Sequence, residues 1–171
     1  MNWTVRPASH FDAELGRWRA LHARAGAHAL LAADFVAPLL EHFGSGREAV
    51  AWCERDGDTV AMALLTRTGA GAWSTFQPPQ APLGLWLQAP QADGAALARS
   101  LLPALPGLPL VLGLTQLDPL LQARPSPAPG LDTLPYIDTA ALDLAGGFDA
   151  YWTQRGKNLR TNLRKDRKSV V

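Results

Sequence analysis

The chain has 171 residues, of which 47% are hydrophobic and 18% charged, and a formal net charge of +1. That length fits one domain, or one domain and a piece, and the apolar share supports a packed core, which excludes a disordered chain. The most apolar run, Leu101 to Leu117, is broken by Pro103, Pro106 and Pro109 and does not read as a membrane span; the single cysteine, Cys53, leaves no internal disulfide and no multi-cysteine metal site; and Met1 to Phe11 lacks a charged-then-apolar signal pattern, so a cytoplasmic location is the expectation.

Asn2 to Pro7 alternates weakly and predicts a short strand. Ser9 or Asp12 is placed to cap the helix that follows, in which Leu15, Trp18, Leu21 and Ala25 recur at helical spacing and Gly26 stands at the end. A second helix is predicted over 33–43, with Asp34 as cap and Phe35, Leu39, Leu40 and Phe43 on one side, ended by Gly44-Ser45-Gly46. The period then changes. Residues 48–55 and 59–66 read as strands joined by Asp56-Gly57-Asp58, a strong hairpin signal. Residues 72–76 follow the Gly69-Ala-Gly71 turn as a third strand, and 83–87 form a further one. Residues 93–105 are helical, with Leu97, Leu101, Leu102 and Leu105 as the apolar stripe. Leu108 to Leu114 is a continuous apolar run that predicts a buried strand. Pro119 to Gly130 is a proline-rich loop, 134–140 predicts another strand, and Phe148 begins a last helix running to about Lys168. This order predicts an α+β (mixed α/β) fold, with a central, mostly antiparallel sheet flanked by helices. Residues 1–146 form the main domain and 147–171 a basic amphipathic helix.

Candidate chemistry is sparse. His10, His22, His28 and His42 have no metal-ligand spacing, so no metal is expected. Cys53, beside Trp52 on a predicted strand, reads as a buried packing residue. There is no Gly-x-Ser-x-Gly elbow and no phosphate loop ending in Gly-Lys-Ser/Thr. The charge, however, is divided unevenly. Residues 1–154 carry nine Lys and Arg against fourteen Asp and Glu, whereas 155–171 carry seven basic residues against one acid, Asp166. In a continuous helix Phe148, Trp152, Leu159 and Leu163 share one face, and Arg160, Arg164, Arg167 and Lys168 another. Such a helix can pack on protein with one side and meet anions with the other; a solvated charged face is the alternative. Nucleic-acid binding ranks last, because interleaved aromatics are missing beyond Trp152 and no reading motif is present.

Tyr151-Trp152 followed by Gly156-Lys-Asn-Leu-Arg160-Thr-Asn-Leu-Arg-Lys165, and preceded by Tyr136-Ile-Asp138, resembles the linker region of the FemAB-like and cellulose-biosynthesis (CelD-like) branch of the GNAT superfamily. Those proteins are about twice this length and join two GNAT-like halves through such a helix. The predicted order of two helices, an antiparallel meander, a helix and a strand also resembles one GNAT half, as does the opening Trp18, Phe35 and Phe43. Gln91-Ala-Asp-Gly94-Ala-Ala96 resembles the Gln/Arg-x-x-Gly-x-Gly/Ala loop with which GNAT enzymes hold the pyrophosphate of acetyl-CoA on helix-terminal amides. Asp93 puts a negative charge inside that cradle, and a plain helix start capped by Asp93 is the competing reading.

The resemblance implies the N-terminal half of an N-acyltransferase that moves an acyl group from acetyl-CoA or another acyl-CoA to an amine, in exopolysaccharide or cell-envelope metabolism. Most of the donor site would lie in a second half, and a truncated product, a fragment or a domain that assembles with another chain is the expectation. Catalytic residues are not carried over. The resemblance makes Arg155, Lys157, Arg160, Arg164 and Lys165 candidates for contacts to an anionic substrate or cofactor phosphates, and Gln91, Gly94 and Ala96 candidates for a cofactor loop. The alternative is a non-catalytic binding or assembly domain whose basic helix docks on an acidic partner or a second copy.

Overall fold

The computed structural model describes residues 1–138, 142 and 145–168. The chain divides into two compact units, Met1–Leu134 and Pro135–Val171.

The first unit opens with β1 (Asn2–Pro7). A 3-10 turn, Ala8–His10, runs straight into α1 (Phe11–Arg24). That turn displaces the expected cap: the cap position falls on His10, which makes no side-chain bond, and neither Ser9 nor Asp12 serves. Asp12 and Glu14 lie in the first turn, where carboxylates favour the positive end of the helix dipole. Gly26 follows at φ +90°, the left-handed conformation that stops a helix. The Trp18 indole N–H donates to the Leu31 carbonyl at 2.8 Å and so ties α1 to the chain entering α2 (Ala33–Phe43). The buried stripe of α2 is Ala33, Val36 and Leu39 rather than one containing Phe35 and Phe43; Phe43 is exposed. Asp34 does not cap α2 but accepts from Arg19 at 3.0 Å.

Five further strands follow: β2 (Ala49–Arg55), β3 (Asp58–Gly69), β4 (Ala72–Thr75), β5 (Trp86–Gln88) and β6 (Val111–Gly113). The sheet order is β1-β2-β3-β4-β6, with β5 also on β3. Every pairing is antiparallel except β4 with β6. Asp56 and Gly57 both take positive φ, +54° and +86°, as a two-residue hairpin turn of matching twist requires. β4 and β5 lie end to end along β3, β4 opposite Leu65–Gly69 and β5 opposite Ala61–Ala63. Helix α3 (Gly94–Leu101) passes into a 3-10 turn, Leu102–Ala104, where Pro103 withholds a backbone donor.

Both faces of the sheet are covered. Val50, Trp52, Met62 and Leu64 pack with Phe11, Trp18, Leu21 and Val36 of the first two helices. Ala51, Cys53, Ala61 and Ala63 face the other way, with Trp73, Trp86, Leu97 and Leu101. The unit is an α+β fold around a mostly antiparallel sheet.

The expected buried strand from Leu108 is a correction. Only Val111–Gly113 is a strand, and it is the outer one. Leu108, Leu110 and Val111 are 84%, 74% and 60% exposed, while Leu112 and Leu114 pack inward. As the outer strand, β6 has β4 as its one lateral neighbour and none on its far side. Leu134 to Asp138 is irregular rather than a strand, with Pro135 unable to donate to a ladder; Thr139 and Ala140 lie outside the described residues. The single helix from Phe148 is two, α4 (Gly147–Thr153) and α5 (Lys157–Lys168). The Arg155 amide closes on Trp152 in a tight turn at 3.1 Å, and Gly156, a poor helix former, starts the chain afresh.

Glu48, 5% exposed, accepts from the Ser45 amide at 3.0 and 2.9 Å and from the Ser45 hydroxyl at 2.7 Å. Burial pushes its carboxyl up, but the hydrogen bonds from Ser45, together with those from the Glu48 and Gly46 backbone, outweigh it, and the net shift is downward. A carboxylate with a lowered folded value stabilises the fold above its unfolded value, and that contribution is lost as pH falls through the folded one. Glu48→Gln is expected to cost about 1.5–3 kcal/mol at neutral pH, with a deficit that closes in acid. Urea denaturation of both proteins across the acid range reads both the size and the slope.

Candidate functional site

β4 and β6 run parallel from Ala72 opposite Val111 to Ser74 opposite Gly113. Beyond Thr75 the chain leaves β3 and returns at Leu85. Leu64 holds both edges of the gap: its carbonyl accepts from Phe76 at 2.7 Å and its amide donates to Leu85 at 3.0 Å. The excursion is pinned to the segment after β6. The Thr75 hydroxyl, on a residue 1% exposed, lies 2.7 Å from that of Thr115 and accepts from the Thr115 amide at 3.0 Å. The Gly84 amide donates to the Thr115 carbonyl, and the Gln77 amide group donates to the side chain of Gln116. Gln116 takes φ +46°, a strained conformation for a residue with a Cβ. The resulting cleft is lined by Gly84, Gln88, Gln116, Asp118, Leu121 and Gln122 among others, and has room for about one ordered water. A crevice at the carboxyl ends of parallel strands is where α/β sheets take ligands. The lining here offers amide donors and acceptors and one ionisable side chain, Asp118, whose Oδ1 accepts from the Leu120 amide at 2.8 Å.

The Gln91–Ala96 loop starts α3. The Asp93 carboxylate accepts from the Ala95 amide at 2.9 Å and from the Ala96 amide at 3.1 Å. The amides an anion would need are thus taken by the protein's own carboxylate. Gly94 permits a close approach, but to Gln88: a Cβ there would sit 2.9 Å from Gln88 Oε1. That oxygen also accepts from the Trp86 indole at 2.9 Å, while Gln88 Nε2 donates to the Ala92 carbonyl. Gln91 is exposed, and Gly94 and Ala96 are half-buried.

In the second unit Arg155 lies with its guanidinium carbon 4.3 Å from the Tyr151 ring centroid, and its Nε is buried without a hydrogen-bond partner among the described residues. Phe148 and Trp152 stack at 5.6 Å. Lys157 and Lys165 are exposed and Arg160 is half-buried. Arg164 falls within α5, but its side chain is outside what the structure describes, as are those of Arg167 and Lys168. The break before α5 interrupts the face expected to join Phe148 and Trp152 to Leu159 and Leu163.

Two histidines have structural contacts. His28 caps the turn at Leu30, and His22 Nε2 lies 2.8 Å from the His28 carbonyl. No group of three or more potential metal ligands exists among the described residues. Cys53 is fully buried, and burial raises its thiol value, the reverse of what a nucleophile needs. Sequence reasoning missed the cluster around Arg17. Its guanidinium bonds Glu14, Glu54 and Thr59, and its central carbon lies 5.2 Å from the Trp52 ring centroid. The Glu14 hydrogen bond is the main reason its value is raised, against the opposing effect of burial. The three-residue spacing of Glu14 and Arg17 was the readable signal; the contacts across the sheet had none.

No protein-family model, no curated protein and no solved structure matches the chain. No helix among the described residues is long and apolar enough to cross a membrane.

Two substitutions probe these places. Asp93→Ala is expected to cost about 1 kcal/mol through loss of the cap, read by thermal denaturation. Gly84→Ala would drive a Cβ into the Thr115 carbonyl oxygen and to 2.5 Å from the Thr75 hydroxyl. It is expected to open the cleft, seen as faster hydrogen exchange at Gly84 and Thr115 than in the parent.

Proposed function

We propose that the chain is the N-terminal half of a GNAT-type N-acyltransferase, acting from acyl-CoA on an amine in exopolysaccharide or cell-envelope metabolism. The observation that carries this reading is the order of elements in the first unit: strand, two helices, antiparallel meander, helix and strand. The Tyr136-Ile-Asp138 and Gly156-to-Lys165 motifs support it from the sequence side. In such a reaction the amine nitrogen attacks the thioester carbonyl, the C–N bond forms, the C–S bond breaks, and the thiolate takes up the proton that the amine loses. The chemistry requires a base or water relay for that proton and fixed donors for the carbonyl oxygen. The cleft offers amide groups but no pair of titratable side chains, so this reading assigns the base to the second half. To this half it assigns contacts with the phosphates of the donor or an anionic substrate, through Arg155, Lys157, Arg160, Arg164 and Lys165.

A second reading, a non-catalytic binding or assembly domain, is favoured by Asp93, which occupies the Ala95 and Ala96 amides of the loop that resembles a cofactor cradle. Calorimetric titration of the folded chain with acetyl-CoA at low salt separates the two. The acyltransferase reading expects saturable binding that falls at least about tenfold in Lys157→Glu with Arg160→Glu, the loss of roughly two charge-assisted contacts. Absence of binding by the folded parent overturns the donor contact and leaves the assembly reading.

A further inference from the structure

We propose that the second unit rests on an anionic lipid surface, with its cations at the headgroups and its exposed apolar side chains in the interface. Two observations carry this. The first is charge: the unit holds seven Lys and Arg against four acids, all seven cations fall in residues 155–171 beside one acid, Asp166, and Lys157 and Lys165 are exposed and take no part in an ion pair among the described residues. The second is apolar exposure. Tyr136, Ile137, Phe148, Leu159 and Leu163 are 75%, 71%, 64%, 48% and 47% exposed. With Leu142, at 61%, these make six large apolar groups in water among the described residues of so short a unit, and such exposure marks a contact surface.

The pairing of the two features selects the partner. A cluster of four to eight Lys and Arg on an amphipathic helix matches anionic headgroups, and Leu and Phe beside it match the acyl boundary below them. A nucleic acid would use the cations but gives the aliphatic leucines and Ile137 nothing to enter. An acidic protein would need pockets for apolar residues spread along the chain from Tyr136 to Leu163, across the break between α4 and α5. A bilayer surface yields to them wherever they fall. The proposal shares its cations with the acyl-donor contact but does not depend on acyl transfer.

Cosedimentation of the full chain with vesicles tests it, using phosphatidylcholine alone and phosphatidylcholine mixed with phosphatidylglycerol. The expected result is binding to the mixed vesicles only, weakened by salt. Lys157→Gln with Arg160→Gln should lower the partition about 25-fold, at about fivefold per cation near the surface. Lys165→Gln alone should lower it about fivefold, which serves if circular dichroism shows the double variant has lost helix. Leu159→Ser with Leu163→Ser should leave a weaker binding that salt removes entirely. Equal binding to both vesicle types, no binding by the folded chain, or removal of the chain from vesicles by a single-stranded RNA homopolymer would each overturn the proposal. Loss of lipid binding with acetyl-CoA binding intact would leave the acyltransferase reading standing, and the converse result would leave this one.

Discussion

β3 must be buried on both of its faces, and the first unit is arranged around that requirement. A strand covered on both sides cannot alternate apolar with polar, because each face meets protein. Here the alternation is one of size. Met62 and Leu64 point towards α1 and α2, and Ala61 and Ala63 towards α3. β2 repeats the pattern, with Val50 and Trp52 on one side and Ala51 and Cys53 on the other. Trp73 and Trp86 share that face with Leu97 and Leu101 of α3. Cys53 belongs to this small-residue face, which accounts for it without any chemistry of the thiol.

The same strand explains the cleft. β3 is twelve residues long, and its outer neighbour is made of two shorter pieces. At Leu64 the ladder passes from one piece to the other without losing a backbone bond. The chain between them leaves the sheet with polar groups that must be satisfied elsewhere. Thr75, Gln77 and Gly84 find their partners on Thr115 and Gln116, in the segment after β6. The strained backbone of Gln116 is held in place by these bonds. An interrupted strand thus creates the opening, and its polar lining is the side-chain amides of Gln88, Gln116 and Gln122 with one acid, Asp118.

How much of this was legible depends on whether the deciding contact is local. Asp56-Gly57 announces its hairpin because positive φ at two successive residues is a local demand. The span of α2 was readable, but its buried stripe was not, since Val36 rather than Phe35 joins the core, a choice set by tertiary contacts. Leu108 to Leu114 looked buried because apolar runs are usually interior, yet pairing with β4 alone puts β6 at the edge. The end-to-end placement of β4 and β5 left no mark in the sequence, because it depends on β3 offering twelve positions. At the candidate site the basic segment was visible at once, for charge is a property of composition. The cleft was not, for it is assembled from Thr75, Gly84 and Gln116, residues of no distinctive chemistry far apart in the chain.

The two places where an anion was expected differ in how their charge is balanced. At the start of α3 the helix dipole and its free amides are met internally by Asp93, at 2.9 and 3.1 Å. An incoming phosphate there would have to displace a carboxylate already in contact, and would meet its repulsion if it did not. At the start of α5 the first turn holds no acid, and Lys157 stands where the dipole itself disfavours a cation. Arg155 and Arg160 lie within three residues of it. That arrangement costs the helix stability, because neither the dipole nor an acid of the first turn offsets the cations. The loop before α3 thus balances its charge within the fold, whereas the first turn of α5 does not.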